Sequence, residues 1–172
     1  MRWILDACTL IYLVKAGLFD RFIQLTELDV VIDSSVYEET VIQGKDHNYS
    51  DAFLIEDALA KHNIASISLD VKPYLEKFKD KGETSCYILA SSDGTCVTTD
   101  KKACAKFKGF GISALKLDEY FYQAFESGSI TKINFLDILR QLDNVNAIDA
   151  KMMIFYQDLA DQVHQLTVDD DD

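Results

Sequence analysis

Trp3-Ile4-Leu5-Asp6-Ala7-Cys8-Thr9-Leu10-Ile11-Tyr12-Leu13 decides how the rest of this chain is read. Trp3-Ile4-Leu5 is a short apolar run that reads as a buried strand, and Ala7 onward reads as the opening of a helix. Asp6 stands at the junction. A carboxylate at the carboxyl end of a first parallel strand sits where open α/β sheets place their ligands. An Asp at that point also caps a helix, so Asp6 alone does not decide between structure and function. Three further acids, Glu39, Glu83 and Asp100, occupy comparable junctions later in the chain. Four carboxylates brought to one pocket would repel one another and resist ionising unless a cation joined them.

Working outward from that stretch, strands alternate with helices. Strands are expected at 3–5, 29–32, 65–68, 95–99 and 112–114. Helices are expected at 9–16, 19–25, 35–43, 50–61, 71–78, 83–92 and 101–107. The alternation implies an α/β fold with a central parallel sheet covered on both faces. Cap signals support the boundaries: Ser34-Ser35 precedes Val36-Tyr37-Glu38-Glu39, and Asp100 precedes Lys101-Lys102-Ala103. The single proline, Pro73, falls early in its expected helix, where a missing N–H costs little.

From Leu117 the pattern is helical throughout, at 117–125, 132–142 and 147–166, with Ser127-Gly128-Ser129 as a break. In the last helix Ile148, Met152, Phe155, Leu159 and Leu166 repeat on one face with Val163 beside them. That face packs on its own domain or pairs across a two-fold axis in a homodimer, and the spacing alone does not separate the two.

Composition bounds the function. With 172 residues and 48% hydrophobic content, the chain can bury one good core. A net charge of −12 argues against broad electrostatic binding of nucleic acid, which relies on Lys and Arg meeting phosphates, but leaves room for a local basic strip. Lys15, Lys45, Lys101 and Lys102 are the candidates for one, with solvated surface charge as the plainer reading. Part of the negative excess is an acidic tail, 169–172. No apolar run has signal-peptide or membrane-spanning character, so a cytoplasmic protein is expected. Cys8, Cys86, Cys96 and Cys104 lack C-x-x-C spacing and adjacent histidines, which disfavours zinc and suggests small buried thiols. His47, His62 and His164 are scattered and support no histidine-centred mechanism.

The chemistry therefore rests on the acids. Carboxylate oxygens without His or Cys suit a hard ion, Mg²⁺ or Mn²⁺, and Mg²⁺ that keeps several waters suits phosphoryl chemistry. Each acid separately has a structural explanation, because acids favour helix N-termini. Their conjunction points further, since parallel strands deliver their carboxyl ends to one edge of the sheet.

At these residues the chain resembles a known family. Ile4-Leu5-Asp6-Ala7-Cys8-Thr9, Val36-Tyr37-Glu38-Glu39, Gly82-Glu83-Thr84-Ser85 and Val97-Thr98-Thr99-Asp100-Lys101-Lys102-Ala103 are similar, in order and spacing, to the motifs of PIN domains, closest to the prokaryotic toxin-nuclease kind (VapC-like). The resemblance covers about residues 1 to 120. It implies a three-layer α/β/α sandwich and a divalent-metal-dependent endoribonuclease acting on RNA, leaving a 5′-phosphate and a 3′-hydroxyl. On it, Asp6, Glu39, Glu83 and Asp100 fall on the catalytic, metal-binding acids, and Thr9 on the small hydroxyl residue beside the first. Glu39 is preferred to Glu38 because the family acid stands three residues after the Val of that helix. Relatives often carry a second Asp after the last acid; Lys101 stands there, which weakens any fifth ligand.

The expected organisation is a PIN-like nuclease domain over 1–125, a helical extension packed on it over 126–168, and the acidic tail. The partners implied are an RNA substrate, an antitoxin protein covering the pocket, and a second copy of the chain. Two other readings stand beside the nuclease: a PIN-like binding module without turnover, and a receiver-like phosphoacceptor. The last fits poorly, because Glu27 and Asp29 are not at the first strand.

Overall fold

Short apolar runs, most of them followed directly by a helix cap, become five strands of one parallel sheet in a computed structural model that describes residues 2–74 and 81–169, with side chains through residue 162. The strands are Arg2–Leu5 (β1), Asp29–Asp33 (β2), Ala65–Ile67 (β3), Gly94–Thr98 (β4) and Ala114–Lys116 (β5), in the order β3-β2-β1-β4-β5. Strand pleating sends alternate residues to opposite faces, and the apolar content divides accordingly. Leu5, Ile32, Val97 and Leu115 enter one core, and Ile4, Val31, Cys96 and Ala114 enter another. A sheet buried on both faces between helices is a three-layer α/β/α sandwich.

The helices are Ala7–Lys15 (α1), Phe19–Leu25 (α2), Ser34–Tyr37 (α3), Gly44–Asp46 (α4), Ser50–Lys61 (α5), Lys81–Asp93 (α6), Lys101–Gly109 (α7), Leu117–Glu126 (α8), Lys132–Asn144 (α9) and Ala150–Asp169 (α10). A π-helical stretch, Glu38–Gln43, joins α3 to α4, and a 3₁₀ turn, Lys72–Tyr74, precedes α6. Of the helix expected at 71–78, that turn is what the described residues contain; its remainder lies outside them, as do 170–172 of the expected tail. Among the described residues no helix is long and apolar enough to cross a membrane.

The sheet order excludes the receiver-like alternative, whose order is 2-1-3-4-5. Here the chain runs outward from β1 to β2 and β3, then returns to place β4 against the other edge of β1. That reversal between β2 and β4 puts the topological switch point at β1, where α/β sheets bind ligands.

Boundaries differ from the sequence reading where capping intervenes. The second cap is Asp33, whose Oδ1 accepts from Ser35 N at 2.8 Å, so Ser34 and Ser35 belong to the helix. The fifth strand lies two residues later than expected. After α7, Gly111 takes φ +72°, and Gly111 N and Ile112 N donate back to Lys108 O and Phe107 O, so residues 111–112 close the helix. The last helix starts at Ala150 because Asp149 Oδ1 accepts from Met152 N at 2.9 Å.

The C-terminal helices share the core on the Leu5 face. Phe135 is fully buried and stacks on Phe125 with ring centroids 5.2 Å apart. Tyr156 of α10 meets Phe135 edge-on and hydrogen-bonds the buried Asp118 of α8, which also accepts from Lys116 Nζ at 2.5 Å. Burial, with the negative charges of Asp118 and Glu119 adding, pushes the Tyr156 phenol far above its ordinary range. Of the expected stripe, Ile148, Met152 and Leu159 pack on this core, whereas Phe155 is 51% exposed; Val163 and Leu166 lie beyond the described side chains. The inward positions are instead Tyr156 and Ala160, one residue along. Phe155→Glu is therefore expected to fold, with a stability change within about 1 kcal/mol in urea denaturation. An insoluble product would assign the ring to the core after all.

Candidate active site

Asp6 and Asp100 come to the switch point on adjacent strands. Leu5 of β1 lies in register with Val97 of β4, so Asp6 follows β1 level with Thr98, and Asp100 stands two residues beyond the end of β4 at the same edge. Each also caps the helix it precedes. Asp6 Oδ1 accepts from Thr9 N at 2.7 Å, and Asp100 Oδ1 accepts from Lys102 N at 2.6 Å and Ala103 N at 3.1 Å. Structural and functional readings of these acids are thus compatible, because the same junction that needs a cap opens at the ligand edge.

The sheet edge and α6 complete a cavity of about 330 Å³, lined among others by Asp6, Cys8, Glu39, Glu83, Asp100 and Phe107. All four acids singled out in the sequence border it, and Glu38 does not. Glu39 arrives on the π-helical stretch, an irregularity often found at functional positions. Gly44, the first residue of α4 directly after that stretch, sets how closely α4 approaches α5, since a Cβ there would lie 2.8 Å from the Ala52 Cβ. Glu83 arrives on the first turn of α6 and accepts from Lys106 Nζ of α7 at 2.5 Å. A larger cavity of about 570 Å³, lined in part by Arg2, Asp29 and His62, opens at the opposite, amino-terminal edge of the strands. It lies at the wrong end of a parallel sheet for chemistry.

The first acid sits in a strongly desolvated position. Burial pushes the Asp6 carboxyl above its ordinary range; hydrogen bonds from Thr9 and Thr98 pull it back, and the negative charge of Asp100 adds to the rise. Among the described residues, no three ligand-type side chains stand close enough to enclose an ion by themselves. The carboxylates that border the cavity are hard oxygen donors, the kind that Mg²⁺ and Mn²⁺ take. The donor set, oxygen without imidazole, fits the same ions.

Two residues at this edge escaped the sequence reading. The Thr98 hydroxyl accepts from Asp100 N at 3.0 Å and also bonds Asp6, tying the two acids together. A hydroxyl residue two places before the last acid was its signal. Asp33, 2% exposed, ends β2 beside the end of β1, and its Oδ2 has no hydrogen-bond partner among the described residues. It does not line the cavity. Other expectations are corrected. Cys8 is exposed and borders the cavity, while Cys86, Cys96 and Cys104 are buried thiols. The Thr9 hydroxyl donates to Val97 O at 3.1 Å, which locks α1 onto β4. Lys15 pairs with Asp51 at 3.3 Å and Lys45 with Glu56, so both have carboxylates as neighbours rather than a place on the cavity.

A family model described as a PIN domain (DUF3368) matches residues 2–112. Among solved structures, a domain of a functionally unknown protein from Methanocaldococcus jannaschii DSM 2661 is similar at TM-score 0.46 and 18% identity, over 67% of this chain and 90% of that one. No curated protein matches the chain.

Proposed function

Because this chain belongs to the PIN domain family, whose members are usually nucleases and generally use divalent metals, we propose that its acidic cavity hydrolyses RNA phosphodiester bonds with Mg²⁺ or Mn²⁺. One observation carries the reading: four carboxylates from four separate chain segments border one cavity at the switch point of the sheet. Asp6 and Asp100 would hold the ion, and Glu39 and Glu83 would orient water around it. A bound divalent ion supplies Lewis acidity toward water and neutralises charge on the scissile phosphate. Thr98 keeps Asp6 and Asp100 in fixed relation, and the two helix caps hold their Oδ1 atoms in place. Lys106 neutralises Glu83 and stands at the rim, where it can meet a phosphate. The toxin role implied by the resemblance belongs to the same proposal, with a partner protein seated over the cavity.

Metal linkage is the first test. A ligand that binds only the folded state stabilises it by mass action. Mn²⁺ at tenfold excess over its dissociation constant should add about 1.4 kcal/mol, or roughly 3–6 °C in melting temperature for a chain of this size. The double variant Asp6→Asn, Asp100→Asn should show no such rise, and excess EDTA should abolish cleavage of a labelled RNA. Cleavage that persists in EDTA would overturn the metal dependence. A rise in melting temperature without any cleavage would instead favour the binding module, a reading that draws on the high negative charge and the long C-terminal helical segment.

A further inference from the structure

A second cavity adjoins the acidic one. It has a volume of about 220 Å³ and lies between α1, the π-helical stretch, α4 and α5, and Glu39 borders both cavities. That size is below the range of pockets that enclose drug-sized ligands, and it has room for one flat ring system. Buried Ile55 supplies part of an apolar wall. The hydrolysis proposed above gives this cavity no part.

Two rings form one side of it. After α4 the chain turns sharply: Asn48 takes φ +59°, a left-handed conformation that asparagine tolerates, and Tyr49 N donates to Gly44 O at 2.9 Å. The turn leaves His47 and Tyr49 nearly parallel, with centroids 5.6 Å apart and 17° between their planes. His47 Nδ1 donates to Gln43 O at 2.6 Å, which fixes its ring. Tyr49 is nevertheless 59% exposed. An aromatic ring held in place with its surface in water is the platform on which proteins stack an unpaired base.

The polar group beside the rings states which base. Asp51 borders the same cavity with its side chain 19% exposed, and Lys15 Nζ stands 3.3 Å from its Oδ2. Its Oδ1 accepts no hydrogen bond among the described residues. An ionised carboxylate accepts and never donates. Guanine presents two adjacent donors to it, N1–H and the N2 amino group, with the O6 acceptor next in line for an ammonium. Uracil offers a single N–H between two carbonyl oxygens that a carboxylate repels. Adenine and cytosine each set one amino donor beside an unprotonated ring nitrogen.

Resting on the nuclease reading, we infer that this cavity is a guanine subsite: the base of a nucleotide beside the scissile phosphate stacks on Tyr49 and is read by the Asp51–Lys15 pair. The subsite makes cleavage selective for positions next to guanine. Asp51 and Tyr49 are specificity-determining residues, outside the acids that hold the ion.

The test is fluorescence anisotropy with labelled short oligo(U) strands that carry one central guanine, inosine, adenine or uracil, in EDTA so that no cleavage intervenes. The guanine strand is expected to bind about tenfold more tightly than the inosine strand, which lacks only the amino group that bonds the carboxylate. Tyr49→Ala should weaken binding of the guanine strand about tenfold. Asp51→Asn, whose amide turns a donor toward the base, should bring guanine down to the level of adenine. Phe53→Ala, an exposed aromatic that does not border the cavity, should bind as wild type does. Should Asp51→Asn fail to fold, the guanine–inosine comparison reads the same contact on the unaltered protein. Equal affinity for the four strands, or a guanine preference that survives Asp51→Asn, overturns the inference. The two readings fail separately. Guanine-selective binding that needs Asp51 in a protein that never cuts leaves the subsite standing and removes the nuclease. Metal-dependent cleavage at equal rates beside all four bases does the reverse.

Discussion

Asp6→Asn and Asp100→Asn are each expected to lower RNA cleavage about 100-fold or more, the scale of losing one strong preorganised electrostatic contact. Both should remain folded. Asn caps a helix as well as Asp does, so the acceptors for Thr9 N, Lys102 N and Ala103 N survive. What disappears is the charge that a divalent ion needs. The metal-free protein should respond in the opposite sense. The Asp6 pKa is raised in the fold, chiefly by burial, so folded protein binds this proton more tightly than the unfolded chain does. The group costs nothing below the unfolded value and becomes destabilising as pH rises through the folded one. At neutral pH and without metal, Asp6→Asn should therefore melt higher than wild type, and the gain should vanish in acid. Glu38→Gln is the control, because Glu38 does not border the cavity. Full cleavage by both Asp variants would sink the assignment, and a silent Glu38→Gln beside an active Glu39→Gln would reverse the choice within that pair.

Phe135→Ala is expected to cost about 3–5 kcal/mol, as removal of a buried aromatic ring does when its surroundings cannot collapse. Phe135 has no exposed surface, and Tyr122, Phe125 and Tyr156 all lie against it with centroids 5.2–5.9 Å away. These rings come from α8, α9 and α10, and they belong to the same buried cluster as Leu5 and Val97 of the sheet. A hole there should weaken the whole fold in one cooperative transition, lowering the melting temperature by about 10 °C or more. Urea denaturation read by far-ultraviolet circular dichroism measures both quantities. A loss below about 1 kcal/mol, or a separate early transition, would show that the C-terminal helices fold apart from the sheet.

Local patterns alone determined the strand–helix alternation, the parallel sheet and the positions of the acids. A short apolar run has one way to be buried on both faces, and an Asp or Glu at its end has one edge of the sheet to reach. Asp6 and Asp100 were legible for that reason, and the helices at 19–25 and 50–61 were read to the residue, with Gly17, Asn48 and Asn63 marking their turns at positive φ. Tertiary structure decided what depends on residues far apart in the chain. The order β3-β2-β1-β4-β5 made β1 the switch point and removed the receiver alternative. A separation of 23 positions hid the ion pair of Glu83 with Lys106, and the long stretch of chain between Asp6 and Thr98 hid the hydroxyl that steadies the first acid. Phe155 looked equivalent to Ile148 and Met152 by spacing, but a core formed by α8 and α9 selected the neighbouring Tyr156. A helix's own period states that one stripe is buried; the angle at which its partners approach decides which stripe it is.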